Sequence, residues 1–133
     1  MKFRRGVFSD YPVIAEYDEF IGDRRLDLQK GEIWVCDSAN EISVGYLRVS
    51  SDHFFAWPFV SYLCVQEKHR RQGVASGLLQ SLREEMTFSR LYVSTEENNH
   101  AMRSLLKKLD ADPIGHIDQL NFDDERELIF RLL

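Results

Sequence analysis

The sequence predicts a single mixed α/β domain, a central sheet with helices on its faces. Three observations carry that expectation. The chain has 133 residues and is 44% hydrophobic, enough for one core, and it shows no repeat, low-complexity tract or linker. Short β-rich runs alternate with stretches whose apolar residues recur every three or four positions. One run, "VSYLCV" (60–65), is nearly all apolar, the pattern of a central strand buried on both faces.

The elements follow in order. "KFRRGVF" (2–8) opens as a short strand, and Ser9 or Asp10 then caps a helix to about Phe20, with Pro12 suited to its first turn. "GDRRLDLQKG" (22–31) is polar and reads as either a short helix or a loop. "EIWVCDSANEISVGYLRVS" (32–50) reads as a hairpin, two β-rich runs around the turn-forming "DSAN". In the aromatic connection "SDHFFAWPF" (51–59), Pro58 allows a turn or a strand start. After "VSYLCV" a helix runs to about Met86, with Val74, Leu78, Leu79, Leu82 and Met86 on one face. "RLYVS" (90–94) is a further strand. From Asn98 or Asn99, either a good cap, a helix runs to Leu109 with Met102, Leu105, Leu106 and Leu109 as its apolar face. "IGHIDQL" (114–120) and "RELIFRLL" (126–133) close the sheet, for an order β-α-(α)-β-β-β-α-β-α-β-β.

Charge and cysteine usage exclude several functions. A net charge of −5 and a pI near 5.3 argue against nucleic-acid binding, which calls for a basic face. Cys36 and Cys64 sit in apolar runs and read as buried reduced thiols, with no disulfide framework. Neither they nor the four histidines show metal-type spacing, so no metal is expected. "MKFRRGVFSDY" has no apolar signal core and no run is long enough to span a membrane. These absences imply a cytoplasmic domain with no membrane partner.

The segment "HRRQGVASGLLQSL" (69–82) carries the functional signal. Two glycines stand where a helix begins, although glycine costs about 1 kcal/mol in a helix relative to alanine. Tight packing or an anion at the helix mouth would compensate. The first N–H groups of a helix lack partners within it, and the macrodipole adds positive charge there, so phosphate oxygens satisfy both. Neither G-x-x-x-x-G-K-[ST] nor G-x-G-x-x-G is present. What remains is R-x-x-G-x-A from Arg70 to Ala75, read as a phosphate cradle or simply as a tight strand-to-helix turn.

That motif, after a strand ending in Val65, resembles the acyl-CoA pyrophosphate loop of the GNAT acetyltransferase superfamily. The resemblance extends over most of the chain. "FRRGVFSDYPVIAEYDEF" is similar to the family's first strand and helix, "EIWVCDSANEISVGYLRV" to its second and third strands, and "LYVSTEENNHAMRSLLKKLDA" to its fifth strand and fourth helix. It implies a mostly antiparallel sheet whose parallel fourth and fifth strands splay apart, flanked by about four helices. It implies acetyl-CoA as cosubstrate. Backbone N–H groups of Arg71, Gln72, Gly73, Val74, Ala75 and Ser76 would hold its pyrophosphate, with Arg70 adding charge at the rim. The pantetheine arm would lie along Leu63, Cys64 and Val65, one N–H polarising the thioester carbonyl. Asn98 would take the place of the motif asparagine, beside the pantetheine or thiol end.

The sequence also departs from the family. The tyrosine that commonly protonates the leaving thiolate reads Leu106, the following Gly-Phe reads Asp110-Ala111, and a glutamate of the fourth strand reads Phe59. The catalytic candidates are therefore Tyr62, Ser61 and Glu32, with Tyr46 and His53 nearby. Tyr62 reads either as a buried aromatic with a bonded hydroxyl or as a donor. Glu96 and Glu97 read as a lure for a cationic substrate or as ordinary helix-start acids. Cys64, between Leu63 and Val65, is poorly placed to form an acyl-cysteine. Phe54, Phe55, Trp57 and Phe59 suit core, a homodimer interface or an acceptor wall. The expected function is transfer of an acetyl group from acetyl-CoA to a primary amine of a small molecule or peptide, a cationic one fitting the net charge. The alternative is a non-catalytic acyl-CoA-sensing module.

Overall fold

A computed structural model describes residues 1–85 and 89–133. The elements come in the expected order: β1 (Lys2–Arg5), α1 (Tyr11–Tyr17), α2 (Arg25–Gln29), β2 (Ile33–Asp37), β3 (Gly45–Ser50), β4 (Phe59–Val65), α3 (Val74–Glu85), β5 (Tyr92–Glu96), α4 (His100–Lys108), β6 (Asp112–Ile117) and β7 (Glu127–Arg131). They form one sheet in the order β1-β2-β3-β4-β5-β7-β6. Every pairing is antiparallel except β4 with β5.

The sheet buries both faces. One carries α3 and α4 over Leu47, Val60 and Val93, into which Val74, Leu78, Leu79, Leu82 and Leu106 pack. The other carries α1 and α2 over Ile33, Val35, Tyr46 and Cys64, closed by Ile14 and Leu28. Each fully buried aliphatic side chain contributes about 1.5–3 kcal/mol. Met86, the last apolar position expected on the helix after the glycine segment, lies outside the described residues.

Three local expectations are corrected or resolved. The first helix ends at Tyr17 rather than Phe20, because Asp18 is extended (ψ 122°) and its carboxylate accepts the Tyr46 hydroxyl (2.6 Å) and the Phe20 N–H (3.1 Å). Asp10 precedes α1 without capping it by its side chain. Its carboxylate instead accepts Arg4, the Val7 N–H and the Ser43 hydroxyl. The ambiguous 22–31 segment contains α2, and Asn99 caps α4, its Oδ1 accepting the Met102 N–H (3.1 Å).

Two glycines set where α3 begins. A Cβ on Gly45 would sit 2.6 Å from Val74, and one on Gly77 would sit 2.1 Å from the Phe3 ring. Their absence lets the first turn of α3 lie directly against β1 and β3. Packing therefore accounts for Gly77, the second glycine of the motif.

Candidate active site

β4 and β5 pair only at Phe59↔Tyr92 and Val60↔Val93. The cause lies in β4 itself. Its register with β3 slips between Arg48↔Tyr62 and Val49↔Val60, leaving Ser61 as an extra residue. Such a bulge bends and twists its strand, and here Ser61 Oγ is held by Arg48 Nη1 (3.1 Å). Beyond Val60 the β5-facing edge of β4 has no strand partner. Burial on both faces, expected of "VSYLCV", is thus corrected: Val60 and Cys64 are buried, but Ser61, Tyr62, Leu63 and Val65 are half-exposed where the strands part. The resulting cleft, about 330 Å³, is lined by both strands, Phe20, Asn99 and Met102, and by Asn121 and Glu127 from the far side.

At the end of β4 the chain turns into α3 through the glycine loop. Arg71 (φ 62°) and Gly73 (φ 83°) are both left-handed. A Cβ at Gly73 would meet only Ser76 Oγ and Met1 Cε, at 3.8 and 3.9 Å, so the backbone angle and not crowding calls for glycine. Gly77 N–H starts the helical ladder on Gly73 C=O (2.9 Å). Among the described residues, the N–H groups of Arg71 to Ser76 find no main-chain acceptor. Six free donors at a helix N-terminus fit a diphosphate. Arg70 is less free than expected: Nε donates to Val65 C=O (3.0 Å) and Nη2 pairs with Glu19 (2.5 Å), tying the loop to β4 and to the connection after α1. Gln72 Nε2 reaches Lys68 C=O (3.4 Å).

Two groups with acid–base chemistry line the cleft. Tyr62 packs against the Phe20 ring (centroids 4.8 Å apart) and against the Arg24 guanidinium, 4.2 Å from its ring centre. Arg24 is buried and anchored on Ile21 C=O (2.9 Å), with Asp18 at 3.5 Å and Asp27 at 3.7 Å. Glu96 ends β5 directly opposite Glu127 of β7. Desolvation, then the like charges of Asp123, Glu127 and Glu125, push the Glu96 carboxyl above its ordinary value. Glu127 accepts the Ser94 hydroxyl (2.6 Å) and Asn121 Nδ2 (3.0 Å).

Of the sequence-derived candidates, Ser61, Tyr62 and Leu63 line the cleft. Glu32 does not, pairing instead with Arg48 (3.1 Å), which also meets Asp27 (3.2 Å). Tyr46 is fully buried, its hydroxyl pushed far above the usual tyrosine value by burial and by its bond to Asp18. His53 is exposed in the β3–β4 connection. Burial likewise raises the Cys64 thiol, which does not suit a nucleophile. Leu106 is fully buried in the core and supplies no donor to the cleft. Asn98 is exposed outside the lining, where Asn99 stands instead. Sequence reasoning missed Ser94 on β5, and Asn121 and Glu127, which the β5–β7 pairing brings to the cleft. Asp110 has φ 56°, the left-handed region that favours glycine and that aspartate tolerates.

A larger groove, about 730 Å³, lies between α4 and β6–β7. It contains no residue of β4 or β5, whereas the smaller cleft is lined by both. Among the described residues no group of three or more His, Cys, Asp or Glu is arranged to hold a metal, and no helix is long and apolar enough to cross a membrane.

Comparison with known proteins agrees with this geometry. The family model "Acetyltransferase (GNAT) family" matches residues 2–111. No curated protein matches. A GNAT-family acetyltransferase from Bacillus cereus ATCC 10987 is 23% identical, with a TM-score of 0.87 over 98% of this chain and 94% of that one. The ribosomal-protein-alanine N-acetyltransferase of Brucella melitensis is 18% identical, with a TM-score of 0.80 over 98% of each chain. Salmonella typhimurium yncA, a putative acetyltransferase solved with its cofactor acetyl-CoA, is 18% identical, with a TM-score of 0.79 over 99% of this chain and 92% of that one. At such identities these likenesses speak for the fold, and the family match over most of the chain completes the assignment: this protein belongs to the acetyltransferase (GNAT) family.

Proposed function

We propose that this chain transfers the acetyl group of acetyl-CoA to a primary amine by direct attack of the amine on the thioester. One observation carries the reading: the unpaired edge of β4 and an acidic residue with a raised pKa line a single cleft, and the same strand leads on into the donor loop. The N–H groups of Arg71 to Ser76 hold the pyrophosphate. The open edge at Leu63, Cys64 and Val65 takes the pantetheine arm, and an N–H there stabilises the developing oxyanion. Asn99 takes the role first expected of Asn98.

Glu96 removes the proton from the ammonium, directly or through one water, a contribution of about 10²–10⁴ in rate. The neutral nitrogen then forms the new N–C bond, the C–S bond breaks, and Tyr62 supplies the thiolate with the proton that no side chain at Leu106 can give; the acylated nitrogen sheds its surplus proton to water, and solvent returns one to the Tyr62 oxygen. Cys64 takes no part.

The sensing alternative rests on Leu106 and Phe59, and one experiment separates the two. Thermal shift with acetyl-CoA, CoA, ATP and NAD is run beside thiol release over an amine panel. A ligand near 100 times its Kd adds about 2.7 kcal/mol of stability. Stabilisation by both CoA forms together with thiol release supports the enzyme. Stabilisation without release from any amine supports the sensor, and no CoA effect defeats both.

A further inference from the structure

The next step rests on the acetyltransferase reading and concerns its acceptor. Glu96 and Glu127 are direct cross-strand partners, and like charges so placed destabilise a sheet. Other acids of this fold are matched by arginine: Asp10 and Asp37 by Arg4, Asp18 and Asp27 by Arg24, Glu32 by Arg48. Among the described residues neither Glu96 nor Glu127 has an ion-pair partner, and the cleft lining holds no Arg, Lys or His. Asp123 and Glu125 of the β6–β7 connection deepen the negative field at Glu96. Glu127 is fixed in place by Ser94 and Asn121. The Phe20–Tyr62 pair, in the same lining, gives an aromatic wall suited to an alkyl chain.

A single ammonium does not account for this arrangement. The reacting nitrogen gives up its charge before it attacks and leaves as a neutral amide, so it cannot balance two carboxylates through the reaction. We propose that the acceptor is a linear aliphatic diamine or polyamine, one nitrogen reacting at Glu96 while a second, still charged, is held at Glu127. The lining also selects against amines bearing a carboxylate, since it offers that group no cation. An extended peptide is not favoured, because β5 and β7 are fully paired at this wall and Glu97 N–H is taken by Arg126 C=O (2.8 Å).

The test measures thiol release by the full chain at saturating acetyl-CoA with 1,4-diaminobutane, butylamine, 4-aminobutanoate and a tripeptide with a free N-terminus. A charge-assisted contact retained in the transition state predicts kcat/KM for the diamine at least about tenfold above butylamine, with 4-aminobutanoate lowest. Glu127→Gln is expected to pull the diamine-to-butylamine ratio toward one, mainly through KM for the diamine. Should that variant not fold, salt gives a second reading on the wild type. Raising ionic strength from about 0.05 to 0.5 M should raise KM for the diamine more than for butylamine. Equal use of diamine and butylamine, or preference for the peptide, overturns the diamine assignment and leaves the acetyltransferase reading standing. No release with any of the four overturns both.

Discussion

At the scale of single residues, the proposed chemistry falls to Glu96 and Tyr62, and each is open to a separate test. The raised Glu96 value means that its ionised form is disfavoured in the folded state. Its stability contribution is therefore complete below the unfolded glutamate value, about 4.3, and is lost as pH rises through the raised folded value. Glu96→Gln should then melt at a higher temperature than wild type at neutral pH and show no such gain under acid conditions. The same variant should lose about 10²-fold or more in kcat/KM, together with the acidic limb of the pH–rate profile. A variant that keeps both the rate and the limb would remove Glu96 from the mechanism. For Tyr62→Phe, kcat is expected to fall more than KM for acetyl-CoA rises, since the ring would still pack against Phe20 and Arg24 and only the hydroxyl is gone. An unchanged kcat would leave Tyr62 as a wall of the cleft.

At the scale of elements, the strand–loop–helix unit from β4 to α3 does three separable jobs. The Ser61 bulge parts β4 from β5, the left-handed pair Arg71 and Gly73 shapes the donor loop, and Gly77 seats the helix on Phe3. Substitution at Gly73 should therefore be read in two ways. A side chain at φ 83° costs about 1–2 kcal/mol, and its Cβ would enter the open space beside the free N–H groups. Gly73→Val is expected to lose the acetyl-CoA thermal shift while melting only a few degrees below wild type. A retained shift would mean that the loop does not hold the cofactor. In the sequence this unit was the most legible part of the site, because glycine spacing and the flanking apolar runs are local properties. The bulge was not legible: "VSYLCV" reads as a fully buried strand, and only the slip against β3 opens it.

At the scale of the whole molecule, a charge network far from the cleft clamps the first strand to the rest of the sheet. Arg4 bridges Asp10 (2.9 Å) and Asp37 (2.7 Å), and Asp10 also accepts the Ser43 hydroxyl (2.6 Å). Desolvation would raise the Asp10 carboxyl, but Arg4, Ser43 and the Val7 N–H together hold it below the usual carboxylate range. Its stabilisation is thus present above the unfolded aspartate value, about 3.9, and is lost as pH falls through the lower folded value. Asp10→Ala should cost about 2 kcal/mol at neutral pH, by leaving the Ser43 hydroxyl without its partner and Arg4 with Asp37 alone, with the difference from wild type shrinking in acid. A cost that does not depend on pH would point to packing instead of charge.

The sequence by itself determined the element order, the glycine loop, the two apolar helix faces and, through them, the family resemblance. All of these rest on periodicity, turn residues or motif spacing, which act over a few residues at a time. It could not rank the acid–base groups, because their value depends on partners distant in the chain. Glu32, a leading candidate from its position on the hairpin, is consumed by Arg48 from the neighbouring strand. Glu96, which the sequence reads as a lure for a cationic substrate or as a helix-start acid, gains its raised pKa from partial desolvation and from acids about 30 residues away on β7 and the connection before it. The choice between Asn98 and Asn99 turned on which side chain meets the cleft and the first turn of α4, again a matter of geometry. Only the tertiary structure brings β7 beside β5 and sends β4 away from it, and that arrangement places two carboxylates and an aromatic wall around one cleft, on the strand that leads into the donor loop.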